Sequence, residues 1–548
     1  MTDQTTASDP RAEAMARLTA PGQRFELIEE DVRGNQMQVF AQRHRSLHEL
    51  LTESAGYGDR EYLVCDDLRL TYTEHLRRVA SLSAVLRDEH GIGKGDRVAV
   101  LSANNAEWVI TFWAATSLGA IVVGMNSLWS AREIAYGMEH STPSLVVADA
   151  PRRELLGEVD VPVLSIEAVR ELSLAHPDAE LPPCVVVEDD PAVILYTSGT
   201  TGRAKGATHS HRNLICAVDY FRINDAVAAE LGVPQGPRRF LLTGPLFHIM
   251  SLHNLVVPRL AFGDAAVIYT GRFEPDRILG LIERERINQW GAVPTMASRL
   301  LEHGVDGYDL SSLKSFSLGS APSSPALKAG LRELLPVAGK ALGTTYGLTE
   351  SSTAATLATA ADLVRNPESV GRAIVTVRVE VRDALGQAVP DGTEGEIYLR
   401  GPQVMLGYWN NPEATAATID EQGWMRTGDL GTLRDGELQM SSRRSDLIIR
   451  GGENIYPAEV EAAIIEHPAV RECIVVGAPS EDLGQEVAAI VVVPDLSVTA
   501  EDLTAFVAER IARYKVPARW LVTDEELPRN ATGKVMRKAL PTAVGTAQ

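Results

Sequence analysis

Four short apolar runs limit most strongly what this chain can fold into: RVAVLSA (97–103), SLVVADA (144–150), AVILYTS (192–198) and AAVIYTG (265–271). Each is rich in Val, Ile and Leu, is bounded by turn residues, and is followed by a helical pattern. Strands of that kind need cover on both faces, which helices layered on parallel sheets provide. The rhythm runs from about residue 45 to about 440 and predicts an α/β architecture with largely parallel sheets. No repeat of 20–50 residues interrupts it. At 548 residues the chain has room for three or four compact units of about 150 residues each.

The texture shifts near residue 370. From Ala373 to Met440 the pattern is one of hairpins, and Asp435-Gly436 between alternating strands is a type I′ turn signal. The charged, serine-rich SSRRSD (441–446) then breaks the pattern. Beyond it, a helix from Pro457 to Glu466 and strands at 472–478 and 488–494 predict a small α+β unit. The expected layout is an irregular N-terminal arm (1–45), a large domain (46–442) of layered α/β sheets with a small β-barrel-like part, a hinge (443–446), and a small mobile α+β domain (447–548). One stretch, Trp108 to Met125, is uncharged for 18 residues. It barely reaches the length of a membrane span, lacks a basic flank, and reads as a buried helix running into a buried strand.

Asp and Glu outnumber Lys and Arg by 73 to 52, a net charge of −21, which argues against nonspecific nucleic-acid binding. Cys65, Cys184, Cys216 and Cys473 form neither a zinc pattern nor a redox pair. With no signal peptide, organelle address or integral membrane segment evident, a cytoplasmic protein is expected.

One segment departs from the core texture. YTSGTTGRAKG (196–206) combines glycines, hydroxyls and two cations after a strand and before a helix expected near His209. Such a loop can aim backbone N–H groups, hydroxyls and Lys205 at a phosphate. It is not a P-loop, because Gly199, Gly202 and Lys205 are each three apart and Gly206 follows the lysine. By composition alone a mobile surface turn remains open. His209 and His211 lack further metal ligands and read as a helix entry.

YTSGTTGRAKG resembles the signature loop of the adenylate-forming superfamily: acyl-CoA synthetases, luciferases and nonribosomal peptide adenylation domains. Five more segments resemble that family's motifs in the right order: PLFHIM (245–250), SLGSAP (317–322) with TTYGLTE (344–350), TGD (427–429), SRRSDLIIRGGENIYPAEVE (442–461) and PRNATGKVMRKAL (528–540). The resemblance covers about residues 45 to 540 and is closest to the acyl-CoA synthetase type. It implies ATP, Mg²⁺ and coenzyme A as cofactors and co-substrates, and a carboxylic acid as substrate.

The resemblance also implies roles. Thr197, Ser198, Gly199, Thr200, Thr201, Gly202 and Lys205 would hold the β- and γ-phosphates. Gly319, Ser320, Ala321, Tyr346 and Gly347 would form the adenine pocket. Thr349 would contact the α-phosphate and Glu350 would hold Mg²⁺. Asp429 would accept from the ribose hydroxyls, and Arg443 would reach the same sugar or a phosphate. His248 would gate the acyl pocket, against the alternative of a packed core histidine. Lys534 would bridge the carboxylate and the α-phosphate. After adenylation the small domain would swing, presenting Gly451 and Gly452 to the pantetheine arm. Ser445 stands where the family's pivot is commonly Asp or Lys, and Ser442 where Gly is usual.

The expected function is an ATP-dependent acid–CoA ligase, acting most readily on a fatty acid or another bulky apolar acid. Three other readings stay open: a ligase loading a carrier protein, a luciferase-like oxygenase, and a nonenzymatic nucleotide-binding protein. The resemblance also allows a homodimer, for which the sequence shows no interface.

Overall fold

The computed structural model describes residues 9–197, 203–233, 236–319, 323, 325–443, 446–450, 453–480, 483–494, 496, 498–529 and 535–537, with backbone alone at 443 and 484. Among these residues the large part of the molecule is built on two sheets.

The first sheet has the order Gly407–Tyr408, β2 (Lys205–Ser210), β1 (Pro191–Thr197), Ile121–Gly124, Arg97–Leu101, Leu145–Ala148, Val163–Ser165. From β1 onward all neighbours are parallel. The apolar runs are buried throughout, as strands covered on both faces must be. The helix Ala106–Ser117 is buried along its whole length and leads into the strand Ile121–Gly124. That is the expected helix-to-strand reading of the uncharged stretch. Among the described residues no helix is long and apolar enough to cross a membrane.

The second sheet runs parallel through Glu61–Cys65, Ala265–Ile268, Arg239–Leu242, Gln289–Ala292, β3 (Ser315–Leu318) and β4 (Leu342–Tyr346). It then turns antiparallel through Thr356–Ala358 and Ser369–Ala373 into the hairpin region. There β5 (Met425–Arg434) and β6 (Glu437–Arg443) pair through Asp435 (φ 50°) and Gly436 (φ 75°). Both turn residues lie in the left-handed region, as a type I′ turn demands.

Two expectations are corrected. The first 45 residues are not irregular: from Pro10 they form a helix, Pro10–Thr19, and an antiparallel hairpin, Leu27–Val32 with Asn35–Phe40. Glu29, Glu30 and Asp31 mask its alternation, and tertiary contacts fix it. Arg33 donates to the Met405 and Val404 carbonyls, and Arg43 pairs with Glu188 and Glu30. The second correction concerns the glycine loop. It is followed by a strand, β2, and α1 (His211–Glu230) starts only after Ser210 caps it. The loop therefore joins two antiparallel strands, with Lys205 opposite Thr197.

The last hundred residues form an α+β unit with its own core. The strands Ile448–Arg450, Glu453–Ile455, β7 (Glu472–Ser480), Gly484–Val492 and Arg519–Thr523 make one sheet. The helix Pro457–Ile465 begins on proline, which tolerates the first helical position. Ile448, Val460, Ile464, Val475 and Leu503 are buried together, apart from the core of the large part.

Candidate active site

β1 and β2 converge on the base of the glycine loop. Thr197 Oγ1 donates to the Lys205 carbonyl at 3.4 Å. Ser198, Gly199, Thr200, Thr201 and Gly202 lie outside the described residues. Lys205 Nζ sits 4.2 Å from the centroid of the Tyr408 ring, a cation–π contact. Tyr408 belongs to the short strand Gly407–Tyr408, which pairs with β2. Its hydroxyl donates to Glu350 Oε1 at 2.8 Å. Burial and the Glu350 carboxylate both push the Tyr408 phenol far above its ordinary pKa, so it stays a donor. The chain Lys205–Tyr408–Glu350 thus connects the glycine loop to TTYGLTE. Sequence reasoning missed Tyr408, because GYWN carries no chemistry until the strand pairing places it.

TTYGLTE leaves β4 at Tyr346 and closes into a short turn, Thr349–Ser351. Gly347 has a steric reason: a Cβ there would lie 2.6 Å from the Thr353 carbonyl oxygen. The Glu350 carbonyl accepts from Met405 N at 2.9 Å, so backbone and carboxylate are tied to the same 405–408 segment. Tyr346 donates its hydroxyl to Asp429 Oδ2 at 2.9 Å, and both side chains are buried. Asp429 N in turn donates to Thr427 Oγ1 at 3.1 Å. Strand register places residue 443 directly across from Asp429; the Arg443 side chain lies outside the described atoms. Gly319 ends β3, its N–H donating to the Ala292 carbonyl at 3.3 Å. Ser320 and Ala321 are outside the described residues.

His248 is half-buried in the turn before the π-helical segment Leu252–Val256. Asn104 clamps that turn, donating to the Gly244 carbonyl at 2.8 Å and accepting from Leu246 N at 2.9 Å. Burial pushes the His248 imidazole down to about 4, so it is neutral near pH 7 and weak as a base. Its Nδ1 accepts from Met250 N at 3.3 Å. Five residues on, His253 is fully buried, with Nδ1 2.9 Å from Ser352 Oγ. Ser352 Oγ donates to the Asn213 carbonyl at 3.1 Å, so His253 Nδ1 carries the proton. Ser352 holds φ 62°, a strained value for serine. Thr353 Oγ1 donates to Asn254 Oδ1 at 2.5 Å. The segment around His248 and the turn bearing Glu350 are therefore stitched together, which the linear motifs did not reveal.

His209 and His211 make separate contacts. His209 lies in β2 with its ring edge-on to His253, centroids 4.8 Å apart, and His211 accepts from Leu47 N at 3.1 Å. Among the described residues no three His, Cys, Asp or Glu side chains cluster as a metal cage. Glu350, tied through Tyr408 to Lys205, offers the kind of carboxylate that suits Mg²⁺. That ion keeps waters and takes its other ligands from substrate phosphates. Lys534, Gly451, Gly452 and Ser445 lie outside the described residues. The flanking Arg529 and Val535 are bridged antiparallel.

Two family models match the chain: AMP-binding enzyme over residues 51–409, and AMP-binding enzyme C-terminal domain over residues 459–534. The chain is similar to the long-chain-fatty-acid–CoA ligase FadD13 of Mycobacterium tuberculosis. Identity is 33% over 486 residues, covering 86% of this chain and 93% of that one. It is also similar to a feruloyl-CoA synthase of Amycolatopsis, at 35% over 471 residues, covering 85% and 92%. Among solved structures it is similar to the O-succinylbenzoate coenzyme A synthetase of Bacillus subtilis in complex with ATP and magnesium ion. There the TM-score is 0.78 at 31% identity, covering 91% of this chain and 100% of that one.

Proposed function

The chain belongs to the family of AMP-binding enzymes, and from that premise we propose which acid it activates and which residues do the work. It is an ATP-dependent acyl-CoA synthetase that uses ATP, Mg²⁺ and coenzyme A. The acid we propose is a fatty acid or another bulky apolar acid. The long-chain-fatty-acid relative supports a fatty acid, and the feruloyl relative supports a bulky aryl acid.

In the proposed first half-reaction a carboxylate oxygen of the acid attacks the α-phosphorus of ATP. The bond to the β-phosphate oxygen breaks, and pyrophosphate leaves. Two anions must meet, so positioning and positive charge matter more than proton transfer. Thr197 and Lys205 hold the leaving phosphates together with the 198–202 loop, and Thr349 donates to the α-phosphate. Glu350, fixed by Tyr408, would hold Mg²⁺, which would neutralise phosphate charge. Asp429, oriented by Tyr346, accepts from the ribose hydroxyls. Gly319 and Gly347 border the adenine. Lys534 bridges carboxylate and α-phosphate as charge builds. In the second half-reaction the CoA sulfur attacks the acyl carbon, its proton passes to solvent, and AMP leaves with the bonding electrons. The small unit, hinged at 443–446, withdraws Lys534 between the two steps, and Gly451 and Gly452 admit the pantetheine. His248, neutral and poorly basic, acts as a gate.

The observation that carries this reading is the Lys205–Tyr408–Glu350 chain beside the Tyr346–Asp429 pair. Separate motifs converge there, which supports assigning them phosphate, metal and ribose roles. Replacement of Lys534 tests it. Lys534→Ala lowers ATP–pyrophosphate exchange by several orders of magnitude, while thioester formation from presynthesised acyl adenylate and CoA persists. Equal loss in both half-reactions contradicts the assignment.

A further inference from the structure

α2 (Pro294–His303) follows the strand Gln289–Ala292 of the large part and packs against it, and two of its residues meet the carboxy-terminal unit. Thr295 and Arg299 are four apart and so share one face of the helix. Arg529 Nη1 donates to Thr295 Oγ1 at 2.9 Å, and Arg299 Nη2 lies 3.1 Å from Glu526 Oε2. Both partners are wired back into their own unit. Arg529 also pairs with Glu472 of β7, and Glu526 is 3.9 Å from Arg471.

Arg537 makes a contrast. It donates to the Val475 carbonyl at 2.7 Å and to Glu461 Oε2 at 3.0 Å, and its Nε lies 3.5 Å from Asp446. Val475 and Glu461 belong to the carboxy-terminal unit and Asp446 to the hinge at its start. Arg529 and Arg537 flank Lys534 in sequence, so one flank reaches across to α2 while the other is held inward.

We propose that this face of α2 is the seat on which the carboxy-terminal unit docks for adenylation. Arg529 and Glu526 are then positioning residues for the step assigned to Lys534. The proposal rests on that assignment. A contact across the seat exists only while the unit is docked, so its loss harms only the half-reaction run in that state. A contact inside the unit, such as those of Arg537, serves both states. An exposed ion pair such as Arg299–Glu526 is worth up to about five-fold. The charge-assisted hydrogen bond of the better-buried Arg529 is worth about ten-fold or more.

The test uses the full chain, with dodecanoate and cinnamate as probe acids and their synthetic adenylates. ATP–pyrophosphate exchange reports adenylation; adenylate plus CoA reports thioester formation. Thr295→Val and Arg299→Glu should lower exchange several-fold with thioester formation from the adenylate preserved, while Arg529→Gln, which also loses its Glu472 pair inside the unit, should lower exchange about ten-fold and thioester formation less. Adding Glu526→Arg to Arg299→Glu should restore exchange by reversing the pair. Arg537→Gln should lower both half-reactions. Lys534→Ala serves as the reference. If it keeps exchange, or if the unmutated chain exchanges with neither acid, the reading of the active site fails. If Lys534→Ala loses exchange as expected, the seat is overturned by any of three results. The α2-face variants could keep full exchange, lose both half-reactions equally, or lose only the thioester step.

Discussion

Tyr408 links the two halves of the proposed phosphate site, with its ring under Lys205 and its hydroxyl on Glu350. Phenylalanine would keep the ring for the cation and remove the donor. A hydrogen bond to a charged carboxylate is worth about 1.5–3 kcal/mol, so Tyr408→Phe should lower kcat/KM about ten- to hundred-fold and raise the Mg²⁺ concentration for half-maximal rate. A Mg²⁺ titration of steady-state rate checks this, and an unchanged requirement would separate Tyr408 from the metal function. At this scale the sequence was informative where a motif holds the partners together. Glu350 and Asp429 could be singled out as candidates because TTYGLTE and TGD surround them, and the structure shows that each has a tyrosine hydroxyl on its carboxylate. Tyr408, His253 and Ser352 were not, since each matters only through a residue far away in the chain. Lys534, identified from PRNATGK, lies outside the described residues, and its role rests on the family.

Strand β2 shows what an element can hide. Lys205–Ser210 contains Gly, Ala, Thr, His and Ser, a composition with little strand preference. It is a strand because it lies buried between β1 and Gly407–Tyr408. The type I′ hairpin of β5 and β6, by contrast, was legible from Asp435-Gly436 alone. The Leu27–Phe40 hairpin uses Arg33-Gly34 at φ 56° and 83° for the same purpose, a dipeptide that announces the turn less clearly. Burying His209 in β2 against His253 has a consequence for acid stability. Burial pushes His209 down to about 3 and His253 well below its ordinary value. Below the unfolded imidazole pKa of about 6.5, the unfolded chain takes up protons that the folded pair refuses. Stability is therefore full above that pH and falls as pH drops, by about 2 kcal/mol per imidazole at pH 5. Urea unfolding at pH 7 and pH 5 should show a smaller acid loss for His209→Gln than for the unmutated chain. Equal losses would mean the pair is not kept neutral by burial.

Over the whole molecule, the alternation of apolar runs and helical patterns was enough to predict layered parallel sheets and a separate α+β unit. It could not show that the amino-terminal residues are folded in. Arg33, Arg43 and their partners at 188 and 404–405 join segments more than a hundred residues apart. Nor could it show α2 as a seat for the carboxy-terminal unit, because an ion pair across two units leaves no pattern in either. The choice of acid is likewise invisible in the motifs, which bind the parts common to every substrate. The central claim is that a carboxylic acid is activated as its adenylate and passed to CoA. Its most direct test is product analysis of the chain incubated with ATP, Mg²⁺ and a panel of straight-chain and aryl acids, with and without CoA. The account predicts AMP, pyrophosphate and an acyl-CoA when CoA is present, acyl adenylate when it is absent, and the fastest turnover with apolar acids. Formation of ADP, an oxidised acyl product, or a thioester only on a carrier protein would contradict it.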